Sequence, residues 1–236
     1  MAGMISSWLE FWDKPNSIYV NARHKDVHYR LVAQQIAALV PSPQARVLDY
    51  GSGEALYADR IAAVTCELLL CEGAPSVRAG LAARFAATPN IRVLTPEAAA
   101  RLPEQSLDLL VFHSVAQYLT PEQTSTLLVL FRKLLKPEGK LLVGDVIPPH
   151  LAVFADVAAL LRFARQHGFL GSALLGLFRT VFSDYSRLRS RFGIGITCYE
   201  EADMIAKLNA AGFAAERAPT LVGYNQVRMV FVARPR

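Results

Sequence analysis

The sequence predicts an α/β fold: a doubly wound, seven-stranded, mostly parallel sheet with an antiparallel C-terminal hairpin and a helical cap insertion. Three observations predict it. Short apolar bursts alternate with amphipathic stretches from Arg46 to Val146, the rhythm of strand–helix–strand units with right-handed crossovers. After Pro148-Pro149 that rhythm gives way to about fifty residues of helical periodicity. It resumes at Glu200 with a helix and two strands whose short link suits antiparallel pairing.

Each element follows in order. Residues 19–40 read as a helix, with Val27, Leu31, Ile36 and Leu39 at helical spacing and Pro41 as a stop. Arg46 to Tyr50 reads as a buried strand, followed by a glycine turn and at once by a helix through Val64. Glu67 to Cys71 is a second strand and Ser76 to Ala87 a helix. Ile91 to Leu94 and Leu107 to Phe112 are the third and fourth strands. A helix is expected near Gln117 and a longer one from Pro121 to Leu135. Pro137-Glu138-Gly139 then reads as a turn before a fifth strand at Lys140 to Val146. In the insertion, Phe154, Val157, Leu161 and Ala164 share one helical face. Glu200 to Ala211 is the last helix, and strands follow near Phe213 to Ala218 and Val227 to Ala233. The expected organisation is one domain over 1–236, with a cap helix at 19–40 and a helical lid at 150–196 between strands 5 and 6.

Composition narrows the function classes. Hydrophobic residues are 53% of the chain and charged residues 19%, enough core material to exclude a disordered chain. Cys66, Cys71 and Cys198 lack the pairing of a disulfide framework or zinc site, which points to a reducing, cytoplasmic setting. No run approaches the roughly 18 apolar residues of a membrane span. The net charge is +5. Arg162, Arg165, Arg179, Arg187, Arg189 and Arg191 against Asp156 and Asp184 place most of it in residues 151–192.

The sharpest local signal is Val47-Leu48-Asp49-Tyr50-Gly51-Ser52-Gly53-Glu54-Ala55. An apolar strand runs into two glycines one residue apart, which lets the backbone turn tightly and approach a ligand closely. The third glycine of a dinucleotide fingerprint is absent, since position 56 is Leu. Asp49 would repel a pyrophosphate but suits an ammonium or sulfonium. Glu72, ending the second strand, is placed to accept from ribose hydroxyls.

With these residues the sequence resembles the class I S-adenosylmethionine-dependent methyltransferases, of the small-molecule type and Rossmann-like fold. VLDYGSGEA is similar to their first motif, and CEGAPSV to their acidic second-strand end. LPEQSLDLLVFHSVAQYL resembles the fourth-strand region, and LLKPEGKLLVGDVIP the entry to the fifth strand. The resemblance implies S-adenosyl-L-methionine as cofactor. Asp49, Tyr50, Gly51, Ser52 and Gly53 would surround its methionine part, Glu72 its ribose, and Gly73 or Ala74 its adenine. Many relatives bind the adenine amine with an aspartate after the third strand. Here that stretch reads TPEAAARLP, so Glu97 or the backbone near Ala98 must substitute.

Methyl transfer needs alignment and exclusion of water more than a catalytic triad. His113, just past the fourth strand, is the candidate base and a cofactor neighbour with Ser114. Tyr19 and Arg23 on the cap helix are candidates to reach the cofactor carboxylate or the substrate. No metal ligand set is expected. The apolar, arginine-rich 151–192 segment suggests a small hydrophobic or lipid-like acceptor and peripheral contact with a membrane, to which Trp8, Phe11 and Trp12 would add. A nucleic-acid substrate ranks lower, because lysine is absent there and no binding module is attached. Transfer of an aminopropyl group and cofactor binding without turnover are the other readings left open; oligomeric state is not legible.

Overall fold

A computed structural model describes residues 8–13, 19–150, 153–182, 196–219 and 222–236 of the chain. The strands are β1 (Arg46–Tyr50), β2 (Glu67–Cys71), β3 (Ile91–Leu94), β4 (Leu107–His113), β5 (Leu135–Val146), β6 (Phe213–Ala218) and β7 (Met229–Pro235). They form one seven-stranded sheet in the order β3-β2-β1-β4-β5-β7-β6. Neighbours among β1 to β5 pair in parallel, whereas β7 runs antiparallel to both β5 and β6. The expected seven strands and terminal antiparallel pair are therefore present. After β3 the chain crosses to the far side of β1, so a crevice opens between the C-terminal ends of β1 and β4.

Both sheet faces are buried, which is why the strands read as unbroken apolar runs rather than alternations. Leu48, Leu69, Leu110 and Phe112 join a cluster on one face; Val47, Leu68, Leu70 and Val111 join a cluster on the other. The helices that cover them are α1 (residues 8–12), α2 (Ala22–Leu39), α3 (Ala58–Ala62), α4 (Pro75–Arg84), α5 (Pro96–Ala99), α6 (Pro121–Leu134), α7 (Val153–His167), α8 (Leu170–Phe182) and α9 (Glu201–Ala210). Asn21 starts α2 by accepting the His24 N–H at 2.8 Å. A capping box of Thr120 and Gln123 starts α6. α7 and α8 meet at Gly168, whose φ of +77° turns the chain. Their inner residues Phe163, Ala164, Phe169 and Ala173 pack on Val27 of α2 in a third, smaller cluster.

Two boundaries differ from the sequence reading. Pro137-Glu138-Gly139 does not separate helix from strand. β5 already pairs at Leu135, and between the pairs Leu107↔Leu135 and Leu109↔Lys140 the turn sequence forms a bulge within the strand. The helix after the glycine loop starts at Ala58, not directly after Gly53. Ala55, with φ of +39°, cannot enter a right-handed helix, so an irregular turn intervenes.

Candidate active site

The glycine loop leaves β1 in backbone that side chains resist. Gly51 has φ of +79° and Gly53 +58°. A Cβ at Gly51 would overlap Val115 Cγ2, and one at Gly53 would lie 3.0 Å from the Tyr29 hydroxyl. The loop is pinned to β2 because the Cys71 carbonyl accepts both the Gly51 N–H (2.8 Å) and the Ser52 N–H (3.1 Å). Glu72 holds it from the side: its Oε2 accepts the Gly53 N–H at 2.9 Å and its Oε1 the Ala74 N–H at 2.8 Å. Each oxygen keeps a further lone pair for a ligand hydroxyl. Asp49 is buried at the head of the loop. Desolvation, with the Glu72 charge adding to it, raises its carboxyl to about 7. Two buried carboxylates side by side suit a ligand that carries positive charge.

At the ends of β4 and β5 the backbone is again unusual. Ser114 (φ +58°) and Asp145 (φ +60°) are neighbouring left-handed residues without a glycine's freedom, the kind of strain that collects at functional sites. Ser114 Oγ donates to Asp145 Oδ2 at 2.7 Å. Asp145 Oδ1 faces Arg228 Nη1 at 3.3 Å, and Arg228 also binds Asp156 of α7 through Nη2 at 3.0 Å. His113 lies against Gly144, where any Cβ would overlap its Nδ1. Burial pushes the His113 imidazole down, so it is uncharged at neutral pH.

The roof comes from helices. α2 turns His24, His28, Tyr29, Val32, Ala33 and Ile36 toward the sheet ends. Burial lowers His24 to about 4 and, with His113 and His24 nearby, His28 to about 3. α1 contributes Trp8, Leu9 and Trp12. Floor and roof enclose a cavity of about 1990 Å³, above the roughly 300–1,000 Å³ of a single-ligand pocket. Among the described residues, seven buried side-chain polar atoms lack a hydrogen-bond partner, and six of them belong to residues that line this cavity: Trp8, His24, His28, Ser52, His113 and Gln117. Orphaned polar atoms gathered at one place mark a ligand site rather than poor packing.

Residues 48–143 match the family model described as methyltransferase domain. Over these residues, which run from the glycine loop to the fifth strand, the chain is similar to a methyltransferase domain. No curated protein sequence is detectably similar to the chain. Solved structures share the fold at low identity. A complex of the protein DhpI with S-adenosylhomocysteine superposes with a TM-score of 0.62 at 12% identity, covering 100% of this chain and 98% of that one. The magnesium protoporphyrin IX methyltransferase of Synechocystis, bound to S-adenosylmethionine, gives 0.57 at 14% identity over 100% of this chain and 92% of its own. A phosphoethanolamine N-methyltransferase of Haemonchus contortus gives 0.51 at 20% over 62% of this chain and 32% of its own.

Of the residues singled out from the sequence, Tyr19, Asp49, Tyr50, Gly51, Ser52, Gly53, Glu72, Gly73, Glu97, His113 and Ser114 line the cavity. Three do not. Arg23 turns outward, its Nε donating to the His167 carbonyl and its Nη1 pairing with Asp26, because it sits on the α2 face opposite Tyr29. Ala74 is buried behind the cavity wall with its N–H bound to Glu72. Ala98 spends its N–H on Thr95 Oγ1, the cap of α5. Trp8 and Trp12 are also not free for a membrane, since both pack on Tyr118 at the cavity. Arg187, Arg189, Arg191 and the Arg179 side chain, all assigned to the lid, lie outside the described residues. The sequence reading missed the roles of His28, Asp145, Tyr224 and Arg228. His24 and His28, four apart on one helix face, were a visible signal; the Asp145–Arg228 pair joins distant segments and left none.

Proposed function

We propose that the protein moves the methyl group of S-adenosylmethionine to a small, apolar or lipid-like acceptor bound between the glycine loop and the helices α1 and α2. The observation that carries this is the gathering of six residues with orphaned polar atoms around one cavity that exceeds a single ligand's volume. The residues present fit S-adenosylmethionine. Asp49 and Glu72 supply negative charge for its cationic half, and Gly51 and Gly53 leave backbone bare where a Cβ would intrude. When bound, the cofactor supplies a methyl group activated on a sulfonium. The neighbouring proteins whose names give a substrate act on small molecules: phosphoethanolamine, mitomycin and magnesium protoporphyrin IX.

The chain's own groups then have distinct tasks. Glu72 holds the ribose, and Ser52 with the loop backbone holds the amino-acid end. The helices α1 and α2 exclude water and seat the acceptor against aromatic walls such as Tyr224, which is backed by Phe163 stacked 4.2 Å away. His113, uncharged and beside the floor, takes the proton that leaves an acceptor O–H or N–H. His113→Ala should lower kcat by roughly 10²–10⁴ while S-adenosylhomocysteine binding stays within a factor of two or so. The lid also bears Leu174 and Leu175 at 53% and 52% exposure, with Arg162 and Arg165 exposed on the adjoining helix. This supports peripheral contact with an anionic bilayer, which vesicle flotation tests.

The deciding experiment supplies tritiated S-adenosylmethionine with a panel of phenols, amines, fatty acids and RNA. Label in organic-extractable product supports the proposal. Label in RNA alone, or no label from a protein that binds the cofactor, overturns it. Turnover of only the decarboxylated cofactor would indicate aminopropyl transfer.

A further inference from the structure

Residues 8–13 cross the mouth of the cavity and are fixed on both sides. Toward β4, Trp8 packs on Tyr118 with ring centroids 4.5 Å apart, and Trp12 meets the same ring edge-on at 5.6 Å. Toward β2, Leu9 lies so close to Gly73 that a Cβ there would stand 2.7 Å from Leu9 Cδ2. Asp13 caps the start of α4: its Oδ1 accepts the Ser76 N–H at 2.6 Å, and its carbonyl accepts from Ser76 Oγ at 3.0 Å. This strap therefore bridges the turn after β4 and the loop after Glu72.

Trp8 lines the cavity, and its indole N–H is buried and has no partner. An indole nitrogen only donates, so it calls for an acceptor. Two of the residues expected from the sequence to bind adenine already make local hydrogen bonds. The Glu97 carboxylate accepts from its own backbone N–H and from Thr95, which holds it below the usual carboxylate range. The Ala98 N–H is given to Thr95 Oγ1 at 3.1 Å. A purine offers what the strap lacks: acceptor ring nitrogens around a flat apolar face.

Given that the cavity binds S-adenosylmethionine, we infer that the 8–13 strap is the adenine-binding wall of this protein. The Trp8 indole N–H donates to a purine ring nitrogen, and Leu9 covers the purine face beside Gly73. Asp13 and Tyr118 are positioning groups that hold the strap in place. The strap thereby takes over from the aspartate that TPEAAARLP lacks.

Trp8 and Trp12 are the only tryptophans in the chain, so emission reads the strap directly. In Trp12→Phe, where Trp8 is the lone fluorophore, adenosine and S-adenosylhomocysteine should both change its emission saturably, and methionine should not. By calorimetry, Trp8→Phe should weaken S-adenosylhomocysteine by roughly 2- to 12-fold, the worth of one hydrogen bond. Trp8→Ala should weaken it by roughly 5- to 100-fold, the range for losing an aromatic contact to a base. Circular dichroism checks that both variants fold. If the wild-type protein does not bind S-adenosylhomocysteine, the assignment of the cavity fails. If it binds while Trp8 emission is unmoved and Trp8→Ala binds equally well, the strap is not the adenine wall. Tighter binding by Trp8→Ala would also overturn the inference, because the strap would then obstruct the site.

Discussion

Gly51→Ala tests how tightly the glycine loop is built. The new methyl group would sit in backbone at φ of +79° and overlap Val115 Cγ2. Left-handed backbone costs a residue with a Cβ roughly 1–2 kcal/mol, and overpacking adds typically about 1–3 kcal/mol. The substitution should therefore lower unfolding free energy by about 2–5 kcal/mol. For a chain of this size each 1 kcal/mol moves the melting temperature by roughly 2–4 °C. Val115→Ala removes the overlapping methyl and loses packing against the core cluster beneath it. In the double variant only the backbone strain of position 51 remains, so the two changes should be non-additive by about 1–3 kcal/mol. Urea unfolding of the four proteins, followed by circular dichroism, measures that coupling. Additive effects, or a Gly51→Ala protein as stable as the parent, would refute the packing argument for this loop.

Other consequences follow from the same site. Asp49, raised from 3.8 to about 7, destabilises the unliganded fold as pH rises through that window. His24 and His28, lowered from 6.5 to about 4 and about 3, act oppositely, losing stability as pH falls below 6.5, and His113 is lowered in the same sense. Three groups against one predict that stability rises with pH between about 4 and 6.5, and that Asp49→Asn steepens the rise; a flat melting curve against pH contradicts both. A cationic ligand must draw the proton from Asp49, so S-adenosylmethionine affinity should climb by up to about tenfold per pH unit below 7 and level off above it, as titration across buffers would show. Arg228→Met strands Asp145 and Asp156. Removing one partner of a buried pair costs about 3–5 kcal/mol, and with the guanidinium one-fifth exposed the thermal loss should fall near the lower end; a loss under about 1 kcal/mol would mean that water already screens the cluster. Among the described residues no cluster of His, Cys, Asp and Glu is arranged to hold a metal. A methyl group carried on a sulfonium is already activated, so transfer should survive a strong chelator; activity restored only by a divalent ion would contradict this.

The fold was legible because its information is local. Strands buried on both faces spell themselves as apolar runs such as Leu68-Leu69-Leu70, and Gly51 and Gly53 advertise a left-handed turn that other residues resist. The acidic pair was legible for the same reason, since Asp49 and Glu72 lie at the C-terminal ends of consecutive strands. What failed depended on side-chain direction or on contacts between distant residues. Arg23 lies within six residues of Tyr29 but on another face of α2. Asp145, Asp156 and Arg228 come from a strand end, the helix α7 and the turn before the last strand, and nothing in the chain announces their meeting. Trp8 looked like a surface anchor because sequence alone does not show that α1 folds back onto Tyr118. Pro137-Glu138-Gly139 carried a true turn preference, yet β4 pairs on either side of it and absorbs it as a bulge.

The central claim is that the cavity beyond β1, β2 and β4 binds S-adenosylmethionine through the glycine loop. Calorimetric titration of the protein with S-adenosylmethionine and S-adenosylhomocysteine, beside a folded Gly51→Arg variant, tests it most directly. The account predicts saturable one-to-one binding of both ligands by the parent and none by the variant. Absence of binding by a folded parent protein, or equal binding by the variant, would contradict it.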